Sequence, residues 1–238
     1  MSDRLKSIVF TVVLCVVISI LLTGASTGLQ RFQEKNVLLD KQKNILKSVG
    51  LIEQDRTCPP ETIEALYRDS IRAVWAEPDG NIIEKPVSGE QDLPIYVYFT
   101  NGGIKAYVIP INSRGLWGRI YGYLAVQGDG STISGFTVYK HAETPGLGGE
   151  IEKEWFQKNF VGKKIVDSQG DFVSIVIAKG KVDERIPKTQ KENYVDGISG
   201  ASLTGKYLTA GLHRILSEYE PVSIRFRKHA VKFTPEPK

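Results

Sequence analysis

From residue 8 to residue 22 every side chain is apolar except Thr11 and Ser19, and Thr23, Gly24 and Ala25 prolong the run without adding a charge. That brings the run to the roughly 17 to 20 residues a helix needs to cross a bilayer, and no second such stretch occurs. Over about residues 29–49, Phe32, Leu39 and Leu46 recur at sevens with Leu38 and Ile45 alongside, and Gly50 is placed to stop the helix. Such a stripe needs a partner surface, which is either another chain or the body of its own chain. Past a boundary near Asp55 to Pro60 the pattern shortens. Residues 93–100, 104–111, 120–126, 132–139 and 172–178 alternate as strands do, separated by turn signals such as Asn101-Gly102-Gly103 and Gly128-Asp129-Gly130. Residues 62–76, 150–160 and 203–219 carry helical spacing, the second placing Ile151, Trp155 and Phe160 on one side. The order predicts an α+β fold with an antiparallel sheet, anchored by one N-terminal transmembrane helix. The expected division is a tip (1–7), a transmembrane helix (8–25), an amphipathic connecting helix (26–55) and a globular domain (56–238).

Composition changes this picture little. Of 238 residues 41% are hydrophobic and 24% charged, as in an ordinary globular domain with an appendage. A cleaved signal peptide competes with an anchor, since Arg4 and Lys6 make a basic start and Thr23-Gly24-Ala25 has the small residues of a cleavage site. The apolar core exceeds the roughly 7 to 15 residues of a signal peptide, and a helical pattern follows at once, so the segment is expected to stay. Cys15 lies in the span and Cys58 precedes Pro59-Pro60, which excludes a disulfide within the globular domain. His141, His213 and His229 have no metal-binding spacing, and no metal is expected. The net charge of +4 draws on Arg225, Arg227, Lys228 and Lys232, expected to be a solvated tail and not a nucleic-acid surface.

The chemistry concentrates in three segments. In Asp196-Gly197-Ile198-Ser199-Gly200-Ala201-Ser202-Leu203 a hydroxyl sits among the smallest side chains just ahead of a helical pattern, where free N–H groups and the helix dipole favour an anion. In His141-Ala142-Glu143-Thr144-Pro145-Gly146-Leu147-Gly148-Gly149-Glu150, Pro145 stiffens a loop whose glycines allow close backbone approach to a flat ligand. Gly115-Leu116-Trp117-Gly118 followed by Tyr121-Gly122 suits a turn into a half-buried strand. Each has a plain alternative: a capped helix start, a Gly-rich turn with His141 and Glu143 in solvent, and an aromatic strand. Gly200 to Lys206 also spells most of a P-loop, but Tyr207 stands where Ser or Thr must meet magnesium, and no buried strand precedes it.

The first segment resembles the Asp-x-x-(Ser/Thr)-Gly-Ala-(Thr/Ser) recognition sequence of bacterial flavin transferase, which moves FMN from FAD onto the last hydroxyl as a phosphoester. The second resembles the His-x-Glu-Thr-Pro-Gly-Leu-Gly loop shared by the FMN-bearing subunits of the sodium-translocating NADH:quinone reductase and the Rnf ferredoxin:NAD oxidoreductase. The third resembles the Gly-Leu-Trp-x-x-x-Tyr-Gly stretch of the FMN-bearing C subunit of the former. The resemblance implies covalent FMN on Ser202, with Thr204 a spare hydroxyl, and Asp196, Ser199, Gly200 and Ala201 as recognition residues. It implies that Glu143, Thr144, Gly146, Leu147, Leu203 and Thr204 also meet the flavin, with Thr144 and Leu147 at the isoalloxazine. It further implies an electron-relay subunit, in the bacterial inner membrane with its flavin domain on the periplasmic side, of a complex that oxidises NADH, reduces ubiquinone and exports sodium. Its partners would be the other subunits, flavin transferase during maturation and membrane lipid. The charge pattern does not support that orientation, because Arg31, Lys35, Lys41 and Lys43 follow the span. Two rivals stay open at this level: the Rnf subunit, and a cofactor-free membrane-anchored interaction protein working through Phe32, Leu39 and Leu46.

Overall fold

The computed structural model describes residues 2–53, 58–87, 89–100 and 103–231; Asp55, Asn101, Gly102 and Lys232 of the expected boundary, turn and tail lie outside the described residues. The chain forms two compact units, Met1–Asp40 and Lys41–Lys238. The first is part of α1 (Asp3–Ser48), one helix that carries the apolar span and continues into the stripe that follows it. No proline interrupts it, so the weak helix formers from Thr23 to Gly28 are carried through. Residues 8–22 expose their apolar side chains along it, and by length and composition the helix can cross a membrane.

The second unit begins with the last turns of α1. Ile45 and Leu46 are 1% and 0% exposed there, whereas Phe32 and Leu38 are exposed. The C-terminal end of the sevenfold stripe, within the second unit, therefore packs on the globular domain. Gly50, at φ 77°, ends the helix, with Gly50 N–H donating to Lys47 O and Leu51 N–H to Leu46 O, the paired bonds of a Schellman cap.

Six antiparallel strands make the sheet: β1 (Ile71–Ala76), β2 (Ile82–Ile83), β3 (Leu93–Thr100), β4 (Gly103–Arg114), β5 (Arg119–Gln127) and β6 (Ile133–Lys140), in the spatial order β2-β1-β3-β4-β5-β6. Because side chains alternate along a strand, the sheet has two covered faces. Val97, Tyr107, Ile109, Leu124 and Phe136 join the main core with the helix α5 (Ser202–Glu218). On the opposite face Gly135 lies against the Ser48 carbonyl and Thr137 donates to Asn44 O at 3.3 Å, which seats the end of α1.

Four expectations need correction. The helix expected over 62–76 is α2 (Pro60–Ser70) followed by β1, whose Ile71, Val74 and Trp75 pair with β3. β-branched and aromatic residues opposite a waiting strand outweigh a continued helical spacing. The strand expected over 172–178 shrinks to β7 (Val176–Ile177), which pairs in parallel with β8 (Tyr194–Val195). Ser174 adopts φ 65° and breaks the run, leaving Phe172 only an isolated bridge to Val166. Over 150–160 there is a 3₁₀ turn, Gly148–Glu152, and a short helix α3 (Glu154–Lys158), with Ile151, Phe156 and Phe160 buried and Trp155 half exposed. Of the basic tail, Arg225 and Arg227 are docked, while Lys228 is exposed as expected. After α4 (Val182–Arg185) and α5 comes α6 (Glu220–Arg227), which buries Val222 and Phe226. Its Arg225 pairs with Asp79 at 2.9 Å, and Arg227 bonds Gly130 O at 2.9 Å and pairs with Glu220.

Candidate functional site

The three segments singled out by sequence come together. The β4–β5 turn, the loop after β6 and the start of α5 line one cleft of about 360 Å³, bordered by Leu116, Trp117, Glu143, Thr144, Leu147, Gly148 and the run Gly200, Ala201, Ser202, Leu203 and Thr204. That volume is at the low end of small-molecule sites, enough to enclose part of a flavin. A larger cavity of about 560 Å³ borders Lys47, Phe136 and Lys158, but no residue of the three segments lines it.

The start of α5 is set by a turn. Ala201 N–H donates to Ile198 O at 3.1 Å, and Gly200 takes φ 73°, as the third residue of a type II turn must. Any side chain at Gly200 would also strike Leu147. Ser202 is the first residue of the helix and is exposed, and no side chain caps the N-terminus. Thr204 faces the other way, because two residues along a helix are about 200° apart. It is 1% exposed, and its hydroxyl donates to Glu143 Oε2 at 2.5 Å.

Glu143 is 4% exposed, not solvated as a plain turn would leave it. Its Oε1 accepts the backbone N–H groups of Leu116 at 2.8 Å and Trp117 at 3.1 Å. A Cβ at Gly115 would come within 2.5 Å of Oε1, and one at Gly148 within 2.6 Å of Oε2, so glycine at both positions makes room for the carboxylate. His141 is likewise engaged. The Glu143 N–H donates to its Nδ1 at 3.1 Å, which places the ring proton of the neutral imidazole on Nε2, 3.1 Å from Glu152 Oε2. Burial pushes the Glu152 carboxyl up, but hydrogen bonds from His141 and Lys153 and the Lys153 charge outweigh it and hold the carboxyl below its ordinary value of 4.5. Among the described residues no group of three or more His, Cys, Asp or Glu is placed to hold a metal ion.

In the loop, the Thr144 carbonyl accepts N–H bonds from Leu147 at 3.1 Å and Gly149 at 2.9 Å, closing a tight turn that leaves the Thr144 side chain and Leu147 exposed at the cleft. Gly146 sits at the turn's tip with φ 72° and open space around it, outside the cleft lining. Asp196 and Ser199 do not line the cleft either. Asp196 accepts the Val182 N–H at 2.7 Å at the start of α4, and so pins the segment leading to the turn. Gly148 lines it, as a glycine of the loop expected to approach a ligand closely; Leu116 and Trp117 line it too, and from sequence the Gly-Leu-Trp segment is a signal of family alone. Trp117 is 70% exposed, which no strand periodicity explains.

The model of the FMN-binding domain family matches residues 115–217, the stretch that contains all three segments. The C subunit of the Na(+)-translocating NADH-quinone reductase from Pseudomonas aeruginosa is 32% identical, covering 87% of this chain and 89% of that protein. Its counterpart from Neisseria meningitidis serogroup A is 35% identical over 84% of each. Among solved structures, the counterpart from Parabacteroides distasonis superposes with a TM-score of 0.69 at 31% identity, covering 82% of this chain and 96% of that one.

Proposed function

The chain belongs to the family of C subunits of the Na(+)-translocating NADH-quinone reductases, flavin-carrying members of an oxidoreductase complex, and from this we propose that it holds FMN as a phosphoester on Ser202 and relays electrons through it. The observation that carries the assignment is the opposite placement of two hydroxyls. Ser202 is exposed at the cleft on the uncapped N-terminus of α5, while Thr204 is buried and committed to Glu143. A phosphate on Ser202 Oγ lies where the first N–H groups of the helix lack partners and the dipole is positive.

In the attachment step Ser202 Oγ bonds to the FMN-side phosphorus of FAD as the pyrophosphate P–O bond breaks. AMP leaves, and the hydroxyl proton goes to a base on the transferase. Leu116, Trp117 and Leu147 supply the apolar walls for the ring, and the Thr144 hydroxyl offers it a hydrogen bond. Once bound, FMN supplies one- and two-electron transfer, and the protein sets its position and potential. A covalent link prevents loss of the cofactor outside the cytoplasm. Helix α1 then serves as an uncleaved anchor, with the amino terminus in the cytoplasm and the flavin domain on the periplasmic side, among the other subunits of a complex that passes electrons from NADH to quinone while exporting sodium. Large domains cross membranes largely regardless of nearby charge, so Arg31, Lys35, Lys41 and Lys43 do not oppose this.

Full-length protein made together with a flavin transferase should keep yellow fluorescence through denaturing electrophoresis. Ser202→Ala should lose it, and peptide mass mapping should place FMN on Ser202. FMN found on Thr204 or Ser199, or a colourless wild type, would overturn the assignment.

A further inference from the structure

Glu143 ties together segments that the sequence keeps far apart. Its two oxygens accept three donors from two other segments: the consecutive Leu116 and Trp117 N–H groups of the β4–β5 turn, and the Thr204 hydroxyl in the first turn of α5. No cation of the described residues accompanies these contacts. A buried carboxylate without a counter-ion must have its charge spread over hydrogen bonds, and this one does. Both oxygens are thereby occupied, and the glycines at 115 and 148 leave no slack around them. The carboxylate cannot turn to meet a ligand without releasing one wall of the cleft.

We propose that Glu143 is a positioning residue: it clamps the Trp117 turn to the flavin-bearing end of α5, so that the flavin site is assembled before flavin arrives, and its fixed negative charge then lowers the flavin potential. The clamp itself rests only on the chain's own contacts. The effect on potential rests on the proposed FMN at Ser202. A negative charge in the cleft wall disfavours electron uptake by a neighbouring ring. Glutamine at 143 keeps an oxygen for the two backbone N–H groups and offers an amide to Thr204, whose hydroxyl then accepts, so it preserves the clamp and removes the charge. Alanine removes both. Thr204→Val removes only the third bond.

The test uses the full chain in detergent, first without flavin. Hydrogen exchange should be slow in the peptide holding Leu116 and Trp117 in the wild type and in Glu143→Gln. In Glu143→Ala it should be about tenfold faster or more, as losing hydrogen bonds to a charged group implies, while the peptides of β6 stay protected. Thr204→Val, which cuts the tie to α5 alone, should keep slow exchange at Leu116 and Trp117 and speed it in the peptide that begins α5; unchanged exchange there would overturn the tie to α5. After flavinylation, Glu143→Gln should show a more positive flavin midpoint potential than the wild type at equal flavin content. Unchanged exchange at Leu116 and Trp117 in Glu143→Ala, or an unchanged potential in Glu143→Gln, overturns the proposal. A wild type that takes no flavin overturns the functional reading instead, and the exchange experiment still decides the clamp.

Discussion

Ser202 and Thr204 are similar hydroxyls in one dimension, two positions apart and both within three residues of the Gly200-Ala201 pair. On a helix they point to opposite sides, and what waits on one side is a glutamate from a loop sixty-one residues away along the chain. That is why a spare acceptor could be named from sequence and could not be eliminated there. Thr144 and Leu147 differ, because their exposure at the cleft follows from a local turn closed by the Thr144 carbonyl. We expect Thr144→Ala and Leu147→Ala to be flavinylated normally, since neither carries the acceptor hydroxyl nor hydrogen-bonds through its side chain to the turn that sets it. A hydrogen bond from Thr144 to the ring is worth about 0.5 to 1.5 kcal/mol net. If it differs between oxidation states, its loss should move a one-electron potential by about 20 to 60 mV. Spectroelectrochemistry of the two variants checks this; spectra and potentials identical to wild type in both would mean that the loop faces a neighbouring subunit and not the ring.

At the scale of elements, strands β3 to β6 were legible to within a few residues, because alternation over eight or more positions has no competing interpretation. β1 was not. Its six residues follow directly on a helix, and their extended form is stabilised by pairing with β3, which local spacing does not record. The C-terminal α6 was missed for a related reason. Its short sequence is rich in charge, and only the partners Asp79, Gly130 and Tyr107 show that it is docked. Phe226 is 4% exposed and stacks on Tyr107 at 4.4 Å between centroids. Phe226→Ala should therefore destabilise the globular unit by about 3 to 5 kcal/mol, the range for a buried phenylalanine truncated in a packed core. Denaturant unfolding of the full chain in detergent measures it. A loss under about 1 kcal/mol would show that α6 frays in solution, since surface changes cost about 0.5 kcal/mol or less.

At the scale of the whole molecule, the two units divide within α1, and the helix that starts as an apolar span ends with Ile45 and Leu46 inside the globular core. Because α1 runs unbroken through Thr23 to Ser26, those residues are not offered to a peptidase in extended form, and the proposed anchor should be present in the mature protein. Intact-mass measurement on protein purified from membranes should find the residues ahead of Ala25 retained; a chain beginning at Ser26 would make the segment a signal peptide. The sequence by itself determined the α+β class, the single apolar span and the three segments that line the cleft. These depend on hydrophobic period and on short runs of small and turn-forming residues, which act locally. Only the tertiary structure decided which of two hydroxyls is accessible, that Glu143 is a buried clamp, that Asp196 serves the α4 segment while Leu116 and Trp117 line the cleft, and that the basic end is a docked helix. Each of these depends on which distant segments meet, and burial, pairing and charge compensation come into being only when the chain has closed on itself.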